Sequence, residues 1–220
     1  MGRYPQPSDV HGSLRDIQIL VNEHPNSFSK AIIKKLNVKS SNIQWLSPLK
    51  EDRYAEYSDS SFINRLEINS LKVNLDKFWP KNGPQWDALG KGDKREIFLV
   101  ESNADIPEIV TQGLEARNTK PVRVIKKSLE TTKSYLEIKN KTDWSGTFYQ
   151  YTNRLAHLYY LRILNRVPAY LVFVYFIGDE RVSGPKTIEE WKAAITVMKK
   201  HLGVEKHKLS KYIAEIFIQV

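Results

Sequence analysis

The sequence predicts a mixed α/β sandwich, a central sheet with helices packed on its faces. Three observations lead there. Residues 169–177, AYLVFVYFI, form an unbroken apolar run rich in β-branched and aromatic side chains, the pattern of a strand buried on both faces. Two shorter apolar runs, 85–89 and 95–101, flank the connector Gly90-Lys91-Gly92-Asp93-Lys94, which reads as a hairpin. Amphipathic stretches of helical period stand before, between and after these strands, and they can cover both faces.

Taken in order, residues 13–23 and 27–36 predict two short helices broken at His24-Pro25-Asn26, with Ser27 able to cap the second. Residues 43–46 are a short extended piece stopped by Ser47-Pro48. Residues 51–67 predict a helix whose packing stripe is Tyr54, Tyr57, Phe62 and Leu66. A helix over 71–79 stops at Pro80, and a turn-rich PKNGP segment leads into the hairpin. Helices are then expected over 121–137 and 147–165, the buried strand over 169–177, and a helix over 187–201 with Glu189 and Glu190 near its positive end. Residues 212–219 read as a final strand. The length of 220 residues suits one domain over 46–220 with an N-terminal helical appendage over 1–45.

Composition excludes several classes of function. The absence of cysteine removes disulfides, thiolate metal sites, iron–sulfur clusters and cysteine nucleophiles, and it suits a reducing compartment. No apolar run approaches the roughly 18 to 20 residues that span a bilayer. The first fourteen residues lack the apolar core of a signal peptide. Gly2 follows Met1, but Gln6 spoils a myristoylation pattern. The expected location is cytoplasmic, with no membrane partner. There is no strand–GxGxxG–helix unit and no GxxxxGK[ST], so the standard dinucleotide and P-loop sites are missing. Lys and Arg number 34 against 25 Asp and Glu, a net charge of +9, which favours polyanions and above all nucleic acid.

The chemistry concentrates around the hairpin. Asp87 lies in its first strand and Glu101 ends its second, so the turn can bring two carboxylates together. Such a pair either shares a proton or holds a cation, and a hard ion such as Mg²⁺ takes carboxylate, water and phosphate oxygens. Two unrelated acids at strand ends, facing solvent, would give the same spacing.

An Asp on one strand, a hairpin, and a Glu-x-x at the end of an apolar strand resemble the PD-(D/E)XK nuclease superfamily. The chain is similar to a prokaryotic group within it from Trp45 onward, through Trp45-Leu46-Ser47-Pro48-Leu49, Glu56-Tyr57, Phe78-Trp79-Pro80, Gly83-Pro84-Gln85-Trp86-Asp87-Ala88-Leu89 and Leu99-Val100-Glu101. The similarity continues through 149–159 (YQYTNRLAHLY), 167–176 (VPAYLVFVYF), Gly184-Pro185 and Glu190-Trp191. This resemblance implies a restriction-endonuclease-like mixed central sheet flanked by helices. It implies Mg²⁺ or Mn²⁺ held by Asp87 and Glu101, with Glu56 matching a helical third carboxylate, and phosphodiester cleavage by metal-activated water. The family pattern places a lysine two residues after the Glu, where this chain has Asn103. Asn103 carries no charge and is no useful base. A cation from a neighbouring helix (Lys126, Lys127 or Arg154) can take its place, the site can bind metal and cleave poorly, or the fold can persist without the chemistry. Asp105 adds another acid nearby.

On the 147–165 helix, Gln150, Asn153, Arg154 and His157 share one face. Gln150 would orient water or phosphate, and Arg154 or Lys127 would stabilise developing charge. His157 alone reads as a hydrogen-bonded structural histidine. Trp79, Trp86, Trp144, Tyr149 and Tyr151 read mainly as packing, Trp86 facing away from its neighbour Asp87. Lys120, Arg123, Lys126, Lys127 and Lys133 either hold phosphates or form a solvated helix face. The leading expectation is a metal-dependent nuclease on DNA or RNA with catalytic Asp87, Glu101, Asn103 and Gln150, possible as a homodimer. The alternative is a non-catalytic nucleic-acid-binding or interaction protein on the same scaffold.

Overall fold

A five-stranded mixed sheet forms the centre of the computed structural model, which describes residues 2–114 and 119–220. In chain order its strands are β2 (Ile43–Ser47), β4 (Ala88–Gly92), β5 (Ile97–Asn103), β6 (Ala169–Ile177) and β7 (Ile213–Gln219), and this is also their spatial order. The first three run antiparallel as a meander, while β6 and β7 join parallel to β5. Parallel neighbours need crossovers, and helices supply them. Between β5 and β6 lie α5 (Ile106–Ile109), α6 (Lys120–Tyr135) and α7 (Tyr149–Tyr159), the last running on into a π-helical turn at Tyr160–Leu164. Between β6 and β7 lies α8 (Ile188–Leu202). A separate two-stranded ribbon pairs β1 (Arg3–Tyr4) with β3 (Glu56–Tyr57).

Each face of the sheet has its own core. One packs Leu89, Leu99, Leu171 and Phe173 against Leu129, Leu155, Leu158, Trp191 and Ile195 of α6, α7 and α8. The other packs Phe98, Val100, Val172 and Val174 against Ile17, Leu20 and Val21 of α1 (Ser13–Glu23) and Phe28 and Ile32 of α2 (Pro25–Leu36). The N-terminal helices are therefore no appendage: without them the second face of β5 and β6 would be bare, and the expected boundary between 45 and 46 cuts through β2. Cover on both faces is what an all-apolar β6 requires.

Local chemistry explains the element ends. The expected break between α1 and α2 shrinks to His24, because Pro25 opens α2 at a position where a missing N–H costs nothing. Thr187 caps α8 by accepting from the Glu190 N–H, and Gly203 closes it in the left-handed region. The expected helix over 71–79 contracts to α4 (Leu75–Phe78).

Two expectations near the site are corrected. The helix over 51–67 is a 3-10 turn at Lys50–Asp52, then β3, then α3 (Asp59–Arg65). Arg53 and Tyr54 both take left-handed backbone, with φ of 55° and 49°, which ends helical propagation and leaves Glu56 extended for pairing with Tyr4. The first hairpin strand also sits further along the chain than 85–89. Gly90 is inside β4, not in the turn, and glycine is needed there because a Cβ would stand 2.6 Å from Ile43 Cγ2. The glycine serves close approach of β2, and the turn falls at 93–96. No helix among the described residues is long and apolar enough to cross a membrane.

Candidate functional site

Two antiparallel pairings align three carboxylates. The β4–β5 register pairs Ala88 with Val100, so one step further sets Asp87 opposite Glu101. A bridge pairs Tyr57 with Trp86, so one step further sets Glu56 opposite Asp87. Glu56, Asp87 and Glu101 thus follow one another across three chain segments. Asp87 stands just before β4, Glu101 is inside β5, and Glu56 reaches the site from β3, not from a helix.

Each carboxylate is held by specific donors. Asp87 Oδ2 accepts the backbone N–H and the hydroxyl of Ser102, both at 2.7 Å. Glu56 Oε2 accepts the side-chain amides of Gln6, at 3.1 Å, and Gln85. Glu101 Oε1 accepts the Gln150 amide, and its Oε2 accepts from Arg154 Nε. The guanidinium of Arg154 is fixed on every side. Nη1 donates to Asn153 Oδ1 and Nη2 to the Gln85 carbonyl, each at 2.9 Å, and the group lies 4.9 Å from the centre of the Trp86 ring, within cation–π range.

One guanidinium faces three acids, and the consequences are electrostatic. Burial, reinforced by repulsion from Asp87, pushes Glu56 up to about 8. Burial also pushes Glu101 up to about 8, with Asp87 and Glu56 adding to the rise and Arg154 opposing it. Asp87 is raised by burial against the pull of Arg154 and Ser102. Such a site binds either protons or a cation.

The donor set bears on which cation would fit. Both Glu101 oxygens are committed to Gln150 and Arg154, whereas Asp87 Oδ1 and Glu56 Oε1 accept no hydrogen bond among the described residues. Among those residues no cluster of three or more His, Cys, Asp or Glu is arranged to hold a metal ion. What remains is a pair of uncommitted carboxylate oxygens, hard donors that suit Mg²⁺ or Mn²⁺ completed by water and phosphate oxygens.

The other expected residues separate into those gathered here and those placed elsewhere. Asn103 is buried at the end of β5 and lines a narrow cavity with Glu101, Gln150, Tyr151 and Tyr175. Arg154, expected as a phosphate contact, is turned inward onto Glu101. Lys126 and Lys127 are exposed on α6 and touch none of the three acids; Lys126 lies 3.7 Å from Asp143. Lys133 leaves the expected basic face, since it is buried and donates to the Thr142 carbonyl at 2.7 Å. Asp105 caps α5 by accepting the Glu108 N–H at 2.9 Å, away from the site. His157 is structural: Nδ1 bonds the Asn153 carbonyl at 2.8 Å, the ring packs among Phe62, Phe78, Trp79 and Trp86, and burial pushes it down to about 3. Trp79, Trp86, Trp144 and Tyr151 are core residues.

Gln6, Gln85, Ser102 and Asn153 belong to the site and were not anticipated in their roles. Gln85 and Ser102 adjoin Asp87 and Glu101 within two residues, which is a usable signal. Gln6 has none, because only the pairing of β1 with β3 brings it to Glu56. Comparison of the chain with family models, curated proteins and solved structures returns no match.

Proposed function

We propose that the chain is a divalent-metal-dependent nuclease with a restriction-endonuclease-like fold, hydrolysing phosphodiester bonds of DNA or RNA. One observation carries the reading: Arg154 projects from α7 into the row of Glu56, Asp87 and Glu101, bringing a fixed positive charge to a site where Asn103 offers none. In this reading Asp87 and Glu56 hold Mg²⁺ or Mn²⁺ through their uncommitted oxygens, and Gln6, Gln85 and Ser102 orient them. When bound, the ion supplies Lewis acidity toward a phosphate oxygen and lowers the pKa of water. Glu101, anchored by Gln150, keeps Arg154 in place, and the buried guanidinium stabilises negative charge developing on the phosphate through space, without touching it. Lys126 and Lys127 on the exposed face of α6 contact the nucleic-acid backbone.

A second reading, a nucleic-acid-binding protein without catalysis, is favoured by the full commitment of Glu101 to Gln150 and Arg154. Cleavage of single- and double-stranded DNA and RNA in Mg²⁺ and in Mn²⁺ separates the two. Wild-type cleavage that Asp87→Asn abolishes supports the nuclease. Retained nucleic-acid binding with no cleavage in either ion supports the binding protein.

A further inference from the structure

On the sheet face opposite Glu101, α1 is tied to the turn that follows β6. Arg181 in that turn donates from Nη2 to Asp16 Oδ1 at 2.8 Å and from Nε to Asp179 Oδ1 at 2.7 Å. Its backbone N–H also donates to Asp179 Oδ1, at 3.0 Å. Both acids are deeply buried, their side chains 3% and 1% exposed. The second oxygen of each, Asp16 Oδ2 and Asp179 Oδ2, is buried with no partner among the described residues. Neighbouring nitrogens of one guanidinium, Nε and Nη2, hold the two acids, which sets the carboxyl groups side by side. A buried acceptor left without a donor is unfavourable, and two ionised carboxylates on one guanidinium repel as well.

We infer that Asp16 and Asp179 share one proton, an acid on α1 donating to a carboxylate on the turn, so that deprotonation loosens the tie between α1 and that turn. One proton satisfies both orphaned oxygens and leaves a single negative charge against the single positive charge of Arg181. Asp16 is its carrier: burial raises that carboxyl, while hydrogen bonding from Arg181 holds Asp179 low. The surrounding charges offer no other remedy. Among the described residues Arg181 is the cation that pairs with these acids, and Glu180 and Lys186 of the same turn pair with neither. From the side of α5, Glu108 faces α1 one turn away at Ser13, but its oxygens are taken by the Ser13 hydroxyl, at 2.7 Å, and by the N–H groups of Ala104 and Asp105.

The clasp has a mechanical consequence. Through Ser13 and Glu108, α1 also holds Ala104, the residue following Asn103 at the end of β5. Losing the shared proton therefore loosens a brace on the strand that carries Glu101. Because Asp16 is raised in the folded chain, its contribution is present in acid and lost as pH rises through its folded titration.

The test is a ¹³C NMR titration of the aspartate Cγ resonances in the full chain, with amide exchange of α1 in wild type and Asp16→Asn at one alkaline pH. One of the two carboxyls should titrate above the ordinary value of 3.8. The two steps are expected to be coupled, and Asp179→Asn should uncouple them. Asp16→Asn, whose amide donates as the acid would, should slow α1 exchange relative to wild type. Ordinary or lowered titration of both acids would overturn the inference, as would faster α1 exchange in Asp16→Asn. Should that variant fail to fold, the wild-type titration decides alone.

Discussion

Arg154 Nε donates to Glu101 Oε2 inside the protein, the two side chains only 6% and 3% exposed. The pair joins α7 to β5, and it carries the charge balance of the carboxylate row. Removing one partner strands the other in a place water does not reach. Arg154→Ala should therefore destabilise the chain by about 3–5 kcal/mol, with part of the loss coming from the lost stack on Trp86. Glu101→Gln should cost less, since Asp87 still attracts the guanidinium. The double variant should cost less than the sum of the singles, with coupling of roughly 0.5–3 kcal/mol. Urea denaturation of the four proteins at about pH 9, where Glu101 has released its proton, measures this. Additive losses would mean the ion pair contributes nothing beyond packing.

The row should also make stability fall with pH when no divalent cation is present. Glu56 and Glu101 move from an ordinary 4.5 up to about 8 on folding. Between those limits the folded chain keeps protons that the unfolded chain has released, so rising pH favours unfolding until the folded groups have titrated. A bound cation replaces those protons, and its stabilising effect should grow over the same interval. Calorimetry at about pH 6 and about pH 9, in chelator and in Mg²⁺, follows both trends. Glu56→Gln should flatten the slope in chelator. A melting temperature that climbs across this interval without cation would contradict the arrangement.

Legibility in the sequence tracks how locally each feature is encoded. β6 and α8 carry their own apolar period and caps, and both were readable almost to the residue. β4 reads too early in the sequence because Gly90 serves packing against Ile43 and Trp45, and Gly92 against Ser40 and Glu96, a tertiary demand that resembles turn chemistry in one dimension. Glu56 reads as helical because its neighbours are polar and aromatic at helical spacing, while the strand it occupies forms through β1, some fifty residues earlier, and through the bridge from Tyr57 to Trp86. The juxtaposition of Asp87 and Glu101 needed only a hairpin and was visible. The inward turn of Arg154 depended on a glutamate 53 positions away, and no local pattern distinguishes it from a solvent-facing arginine.

On the proposed nuclease reading, Asn103→Lys tests whether Arg154 already supplies the positive charge that Asn103 does not. Asn103 is 2% exposed and shares a narrow cavity with Glu101, Gln150, Tyr151 and Tyr175. A longer side chain must displace these neighbours, and overpacking of this kind costs about 1–3 kcal/mol. Its ammonium would also enter beside a carboxylate whose two oxygens are already bonded. In the wild-type background the substitution should therefore lower the melting temperature and bring no gain in cleavage. With Arg154→Gln the balance reverses: Glu101 has lost its cation, and the new lysine can supply one from the adjacent strand position. Asn103→Lys should then recover stability and cleavage that Arg154→Gln has lost. Melting curves and cleavage rates of the two singles and the double variant decide the matter. Gain in the wild-type background would show that Arg154 is only a structural counter-ion. No recovery in the double variant would show that its guanidinium geometry, not its charge alone, is what the site requires.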